Sequence, residues 1–306
     1  MRYAAIDIGS NAVRLLIKEI RVDTEGVHSD KVAYTRLPIR LGEDVFKSGK
    51  IGKDKSRQLL TAMKAFRLLI KAMRVDAWRA CATSAMREAA NGKEVVDRIS
   101  EEANVNIEVI AGEEEADLIF LNFSVSVLDR DQDYLYVDVG GGSTELTLIR
   151  RGERMAGRSF KVGSVRLIQD KVDPEVWPTM HKWTQALLEE YGVSRPMVIA
   201  TGGNINQLQK LSNTSSRTPM PFQKLADLHG QLERLTYIER MDQFGLKPDR
   251  ADVIVPAGSI YLRVMRMTDS PALVVPKVGL GDGMILQLHQ SRDVAKGEEN
   301  EGTGAA

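Results

Sequence analysis

The sequence predicts an α/β protein of two domains, each a mixed sheet flanked by helices. Three observations point there. At 306 residues with 43% apolar content, the chain is too long for one ordinary core and apolar enough for two. Strand-like and helix-like runs succeed one another through both halves. One local pattern, a strand, an Asp-containing glycine turn and a second strand, occurs once in each half. It is Asp7-Ile8-Gly9-Ser10-Asn11 after the apolar run 3–6, and Asp138-Val139-Gly140-Gly141-Gly142-Ser143 after the apolar run 134–137. Asp7 and Asp138 lie 131 residues apart, far beyond a solenoid repeat, which fits duplicated domains.

Taken in order, residues 3–20 read as a two-strand hairpin, with Val13, Leu15 and Ile17 on one face. Residues 54–73 place Leu59, Leu60, Met63, Phe66, Leu69 and Ile70 at helical spacing. Short strands follow at 76–82 and 106–110. Gly112 opens a helix from 113 to about 127, with Glu113, Glu114 and Glu115 in the first turn, where the helix dipole favours acids. The charged connector 129–133 has no apolar content and marks the boundary between domains 1–128 and 129–294. The second half restarts with strands near 134–139, 144–150 and 153–161 and a helix near 173–191. A buried-looking strand at 197–200 runs into Thr201-Gly202-Gly203-Asn204. Helices near 203–211, 222–241 and 250–267, a strand at 272–275 and a helix near 282–290 complete it. Residues 295–306, rich in Gly, Glu, Asn and Ala towards the end, are expected to form a disordered, solvated tail.

Formal net charge is zero, so bulk charge argues for neither nucleic acid nor membrane as partner. The single cysteine, Cys81, excludes an intramolecular disulfide and suits a reducing cytoplasm; its apolar setting reads as a small buried residue rather than a nucleophile. Arg2 followed by a strand containing Asp7 is no signal peptide, and no stretch approaches the ~18 apolar residues of a membrane span. The four histidines are scattered without metal-ligand spacing.

The two glycine turns carry the chemistry. Glycines let backbone N–H groups approach an anionic oxygen, and successive N–H groups in a turn form an anion nest. The neighbouring Asp suits a divalent cation bridging to phosphate. In dinucleotide-binding and P-loop proteins such glycines open a helix. Here both turns run into a second strand, and neither fingerprint is present. Two plain hairpin turns would account for the pattern less well, because they rarely need three consecutive glycines behind a buried strand. Gly202 and Gly203 form a third turn, which opens a helix; phosphate binding and a tight strand-to-helix turn explain it equally. Of Glu113, Glu114 and Glu115, at most one can aim into a site, since adjacent helical residues point about 100° apart. Arg87, just after a strand, reads either as a phosphate contact or as a solvated helix charge.

Together these residues resemble the exopolyphosphatase/guanosine pentaphosphate phosphohydrolase (Ppx/GppA) family of the actin-like, sugar-kinase and Hsp70 superfamily. The resemblance spans almost the whole chain. It is carried by Ala5-Ile6-Asp7-Ile8-Gly9-Ser10-Asn11, Val13-Arg14-Leu15-Leu16-Ile17, Ala82-Thr83-Ser84-Ala85-Met86-Arg87 and Ile110-Ala111-Gly112-Glu113-Glu114-Glu115-Ala116. The most specific segment is Val137-Asp138-Val139-Gly140-Gly141-Gly142-Ser143-Thr144-Glu145-Leu146; Arg250-Ala251-Asp252 with Pro256-Ala257-Gly258 looks like the family's late helix-opening pattern. The resemblance implies two ribonuclease-H-like (actin-like ATPase) domains around a central cleft. It makes Glu115 the base, Asp138 and Glu145 the handlers of metal and water, with Asp7 a further candidate for the metal, and Arg87 a phosphate contact. Gly9, Ser10, Asn11, Gly140, Gly141, Gly142, Ser143, Gly202 and Gly203 would cradle phosphate. The chain stops after the second domain and so looks like the family's short form. Three positions depart from the family pattern: Ala12 where a Ser is usual, Asn204 where a Thr is usual, and Leu280-Gly281-Asp282-Gly283 without a preceding Arg.

The expected activity is a phosphohydrolase dependent on Mg2+ or Mn2+ that removes the terminal phosphate of polyphosphate, short chains favoured, or of guanosine pentaphosphate. A homodimer is the family-based expectation. The alternatives are a non-catalytic receptor for polyphosphate or guanosine tetra/pentaphosphate, and an ATP-dependent small-molecule kinase of the same superfamily.

Overall fold

A computed structural model describes the chain except residues 25, 124–128, 216–217 and 303–306. The chain opens with β1 (Arg2–Ile8), β2 (Val13–Asp23) and β3 (Gly26–Leu37), then α1 (Leu41–Ser48), α2 (Lys53–Ala72), β4 (Ala77–Ala82), α3 (Ser84–Glu88), α4 (Gly92–Ala103), β5 (Glu108–Val109) and α5 (Gly112–Phe120). It continues through β6 (Tyr134–Val139), β7 (Thr144–Arg150), β8 (Glu153–Phe160), α6 (Ser164–Ile168), α7 (Val176–Glu190), β9 (Met197–Thr201) and α8 (Gly203–Leu211). It ends with β10 (Met220–Pro221), α9 (Phe222–Arg234), α10 (Tyr237–Phe244), α11 (Pro248–Ala251), α12 (Ile254–Met267), β11 (Ala272–Val274) and α13 (Leu280–Gly302).

The chain divides into two compact units. The first comprises Met1–Leu41, Gly49–Val125 and Gly279–Ala306; the second comprises Gly42–Ser48 and Ser126–Val278. The division therefore differs from a simple halving of the sequence. Helix α13 belongs with the first unit, where Lys18 Nζ binds Asp282 Oδ1 at 2.6 Å and Arg79 Nη1 donates to Gln287 at 2.6 Å. Helix α1 belongs with the second, where the Phe46 ring lies 4.0 Å from the Arg166 guanidinium and Gln169 donates to the Glu43 carbonyl at 2.8 Å.

The sheet of the first unit runs β3-β2-β1-β4-β5; β1–β2 and β2–β3 are antiparallel, and β1–β4 and β4–β5 parallel. The sheet of the second runs β10-β11-β9-β6-β7-β8, with β6–β7 and β7–β8 antiparallel and β6–β9 and β9–β11 parallel. Two hairpins followed by parallel strands is the ribonuclease-H-like arrangement, and each unit has it. The first core is built on β1 and on the apolar stripe of α2 (Leu59, Leu60, Met63, Phe66, Ile70). The second packs Leu135, Val137, Leu146, Val198, Ile205, Ile260 and Tyr261 together.

Several elements depart from their expected bounds for local reasons. Strand β3 is polar and largely exposed on the sheet edge, so it carries no buried-strand signature. The expected helix at 222–241 breaks into α9 and α10 because Thr236 starts a new helix with a capping box. Its hydroxyl accepts from the Glu239 amide at 3.3 Å, and the Glu239 carboxylate accepts from the Thr236 amide at 2.7 Å. The helix expected at 250–267 is likewise two, α11 and α12, with Pro256, which has no N–H to donate, in the first turn of α12. Helix α5 ends at Phe120 and residues 121–123 form a turn, short of the expected helix end; the last part of that expected helix and the end of the first expected domain fall on residues 124–128, outside the described residues. Helix α13 runs to Gly302 where a tail was expected from 295, in keeping with the helix-favouring Ala295, Lys296, Glu298, Glu299 and Glu301; the expected tail at 303–306 lies outside the described residues.

Candidate active site

In the first unit three loops leave the carboxyl ends of the parallel strands β1, β4 and β5, the edge at which open α/β sheets bind ligands. They are tied to one another. The Thr83 amide donates to the Ile8 carbonyl at 3.1 Å, the Ile110 amide to the Ala82 carbonyl at 3.0 Å, and the Ser10 and Ser84 hydroxyls bond at 2.8 Å. The loop after β1 holds Gly9, Ser10 and Asn11, the last two buried; the Gly9 amide closes the turn on the Ala12 carbonyl at 3.1 Å. The loop after β4 leads into α3 and Arg87, an exposed residue whose Nη1 donates to the Ile110 carbonyl at 2.6 Å. The loop after β5 leads into α5. There Glu113 and Glu114 are exposed, and Glu114 is held by Arg79 at 2.7 Å; Glu115 is half-buried with Oε2 inside the protein. The structure thus separates three acids that the sequence leaves equivalent, and brings Arg87 and the start of the Glu115 helix to the same strand end.

In the second unit the turn after β6 repeats that after β1: the Gly140 amide closes on the Ser143 carbonyl at 3.0 Å. The amides of Gly9 and Gly140 are thereby used within their turns, so each cradle begins one residue later. The rest of the triple-glycine loop is held from one side. The Gly140 carbonyl accepts from the Ser164 amide at 3.0 Å, the Gly141 carbonyl from the Val165 and Arg166 amides at 2.9 and 3.1 Å, and the Gly142 carbonyl from Arg166 Nε at 2.9 Å. The peptide bonds among the described residues are trans, so the N–H groups of Gly141, Gly142 and Ser143 aim away from α6. Three successive amides pointing to one side make an anion nest. Gly163 permits the approach: a Cβ there would lie 2.5 Å from the Gly141 carbonyl.

Gly202, at φ +112, lies beside Asp138: a Cβ there would meet Asp138 Oδ1 at 3.2 Å and Tyr261 Oη at 3.3 Å. Gly203 faces the Arg250 guanidinium, and Arg250 Nη1 donates to Asn204 Oδ1 at 3.0 Å. Asn204 Nδ2 reaches Ser164 Oγ at 3.5 Å, so the third turn is linked to the triple-glycine loop. Gly163, Ser164, Arg166 and Arg250 were not singled out as site residues from sequence. The Gly163-Ser164 pair after β8 was the available signal for the first two, and the Arg250-Ala251-Asp252 segment of the family resemblance was the signal for Arg250; Arg166 is indistinguishable in sequence from a surface charge.

Register explains how the two hairpins differ. Across the first sheet Cys81, Asp7, Arg14 and Arg36 stand side by side, and Arg14 forms an ion pair with Asp7. Across the second, Thr201, Asp138, Glu145 and Ser159 stand side by side. The second sheet therefore puts two carboxylates next to each other where the first neutralises its acid with an arginine. Thr201 Oγ1 donates to Asp138 Oδ1 at 2.8 Å and Ser159 Oγ to Glu145 Oε1 at 2.8 Å. Below them Tyr136 and Tyr261 are fully buried; burial pushes both phenols well above their ordinary range, so both stay protonated.

The chain matches the model of the Ppx/GppA phosphatase family over residues 22–292. It is 28% identical to Exopolyphosphatase 1 of Mycobacterium tuberculosis, over 94% of this chain and 88% of that protein. It is 23% identical to the guanosine-5'-triphosphate,3'-diphosphate pyrophosphatase of Aeromonas salmonicida, over 94% of this chain and 59% of that protein. Among solved structures it is similar to an exopolyphosphatase from Cytophaga hutchinsonii, with a TM-score of 0.81, 25% identity and coverage of 95% of this chain and 98% of that one.

Proposed function

The chain belongs to the Ppx/GppA phosphatase family, and from that premise we propose that it hydrolyses the terminal phosphoanhydride of inorganic polyphosphate or of guanosine pentaphosphate, releasing orthophosphate. The observation that carries this reading is the triple-glycine loop, whose carbonyls are bound by α6 and Arg166 so that three amides turn to the side away from that helix. Amides so arranged bind phosphate oxygens without a full positive charge. Arg250, beside the Gly202 and Gly203 turn, adds a cation to the same unit. Arg87 brings a guanidinium to the other, suited to charge that builds on a transferring phosphoryl group. Glu115, the inward-facing acid of its triplet, orients the attacking water and takes its proton as oxygen bonds to phosphorus and the bridging oxygen leaves with the shortened chain.

Asp138 and Glu145 fit a divalent cation. They are adjacent carboxylates, and among the described residues no group of three or more His, Cys, Asp or Glu side chains could cage a metal. Mg2+ characteristically takes one or two carboxylates, with substrate phosphates and water completing its octahedron, rather than an all-protein cage. When bound, Mg2+ or Mn2+ supplies charge neutralisation on the phosphate oxygens. Asp7 is the weaker candidate ligand, its charge being met by Arg14. A cytoplasmic setting belongs to the same reading. Cys81 is a free, buried thiol, and among the described residues no helix is long and apolar enough to cross a membrane.

The test is phosphate release with Mg2+ from triphosphate, short and long polyphosphate, guanosine pentaphosphate and ATP in parallel. We expect turnover on at least one of the first four without any acceptor, best on the shorter chains among the polyphosphates, and a loss of at least ~100-fold in Glu115→Gln. Binding without turnover would identify a receptor; transfer from ATP to an added acceptor would identify a kinase.

A further inference from the structure

The row of side chains on the second sheet has an order that the hydrolase reading does not itself require. Two acids occupy the middle positions and two hydroxyls the outer ones: Thr201 on β9, Asp138 on β6, Glu145 on β7 and Ser159 on β8. Each hydroxyl donates to the acid beside it, at 2.8 Å in both cases. An ionised carboxylate only accepts, so the direction of these bonds is settled. It settles the next one as well. Tyr136 Oη and Thr201 Oγ1 lie 2.6 Å apart, and Thr201 has a single proton, already given to Asp138. Tyr136 is therefore the donor, and the chain runs from the phenol through the threonine hydroxyl to the carboxylate. The Thr201 backbone is held in turn by a hydrogen bond from the Tyr261 hydroxyl.

The corresponding row of the first sheet has none of this. The neighbour of Asp7 on the parallel strand is Cys81, and its neighbour across the hairpin is Arg14, which pairs with it directly. The duplicated hairpin thus carries buttressing hydroxyls in the unit that carries two acids, and lacks them in the unit whose acid is neutralised by a cation.

We propose that Thr201 and Ser159, with Tyr136 behind Thr201, are positioning residues for a divalent cation held by Asp138 and Glu145. Each hydroxyl holds one oxygen of its carboxylate and so fixes the orientation in which that carboxylate meets the cation. The inference rests on the hydrolase reading for its substrate but concerns cation binding, which can be measured without turnover.

The experiment is Mn2+ binding to the intact protein, followed by electron paramagnetic resonance without substrate, together with the Mg2+ activation curve for phosphate release. Thr201→Val keeps the shape and strand preference of the side chain and removes only the hydroxyl. It should weaken Mn2+ binding about 10- to 100-fold, the usual effect of removing an outer partner of a metal ligand. The Mg2+ concentration for half-maximal activity should rise by a similar factor, with less change in turnover at saturating Mg2+. Thr201→Ser should restore most of the affinity, which a purely structural role for the residue would not predict. Ser159→Ala, at an exposed position that tolerates truncation, gives an independent reading should Thr201→Val fail to fold. Wild-type Mn2+ affinity in Thr201→Val and Ser159→Ala would overturn the proposal, as would a wild-type protein that binds no Mn2+. Weakened Mn2+ binding in the variants, in a protein that releases no phosphate from any substrate, would uphold the positioning roles and defeat the hydrolase reading alone.

Discussion

Asp7 and Asp138 are the same residue at the same point of the same hairpin, and the residue opposite each on the next strand gives them different chemistry. Opposite Asp7 is Arg14; opposite Asp138 is Glu145. An acid facing a cation is neutralised within the protein, whereas two adjacent acids invite an external one. Cys81, beside Asp7 on β4, has no solvent exposure, and burial pushes its thiol from the ordinary 9.0 up to about 12 against the opposing pull of Arg79. The folded thiol should ignore thiol reagents at pH 8 and react once the protein is unfolded. The sign of the pH effect follows. The unfolded thiol ionises near 9.0 and the folded one only near 12, so its contribution to stability is complete below pH 9 and is lost as pH rises towards 12. Denaturant midpoints at pH 8 and pH 10 should show a larger drop for wild type than for Cys81→Ala; equal drops would show that this group does not titrate on unfolding.

Helix α6 has only five residues, yet it decides what the triple-glycine loop can do. Its leading amides satisfy the loop carbonyls, and its Arg166 takes the last of them. A methyl group at 163 would press on the Gly141 peptide and shift the loop or the helix. Gly163→Ala should therefore leave a folded protein whose turnover falls by roughly 100-fold, the cost of an ångström-scale misplacement. Wild-type turnover in this variant would mean that the loop tolerates displacement. The glycines themselves were legible in sequence, because the apolar run, the Asp and the triple glycine are consecutive. The helix that orients them was not, since Ser164–Ile168 is too short to show periodicity. The same limit applies to the break between α9 and α10, which depends on a capping box inside an otherwise continuous helical pattern.

Two segments join units away from their neighbours in sequence: α1 belongs with the second unit and α13 with the first. Opposite the amino end of α13, β2 offers Lys18 to Asp282, and β4 offers Arg79 to Gln287. Amides between Met284 and Gln290 should accordingly exchange with solvent in step with those of β1 and β4, in native-state hydrogen exchange under mild denaturant. Exchange in step with β6 and β9 would assign the helix to the other unit. The duplicated hairpins, their acids, the glycine turns and the long amphipathic helix were all readable from the chain, because strand alternation, turn chemistry and helical spacing are properties of consecutive residues. The hydroxyl beside Asp138 was not, because Thr201 stands 63 residues away and reaches it only through the pairing of β6 with β9. The distinction among Glu113, Glu114 and Glu115 was likewise out of reach, since it depends on Arg79 binding one of them and on burial turning another inward. Interactions of that kind exist only once distant strands have been brought into register.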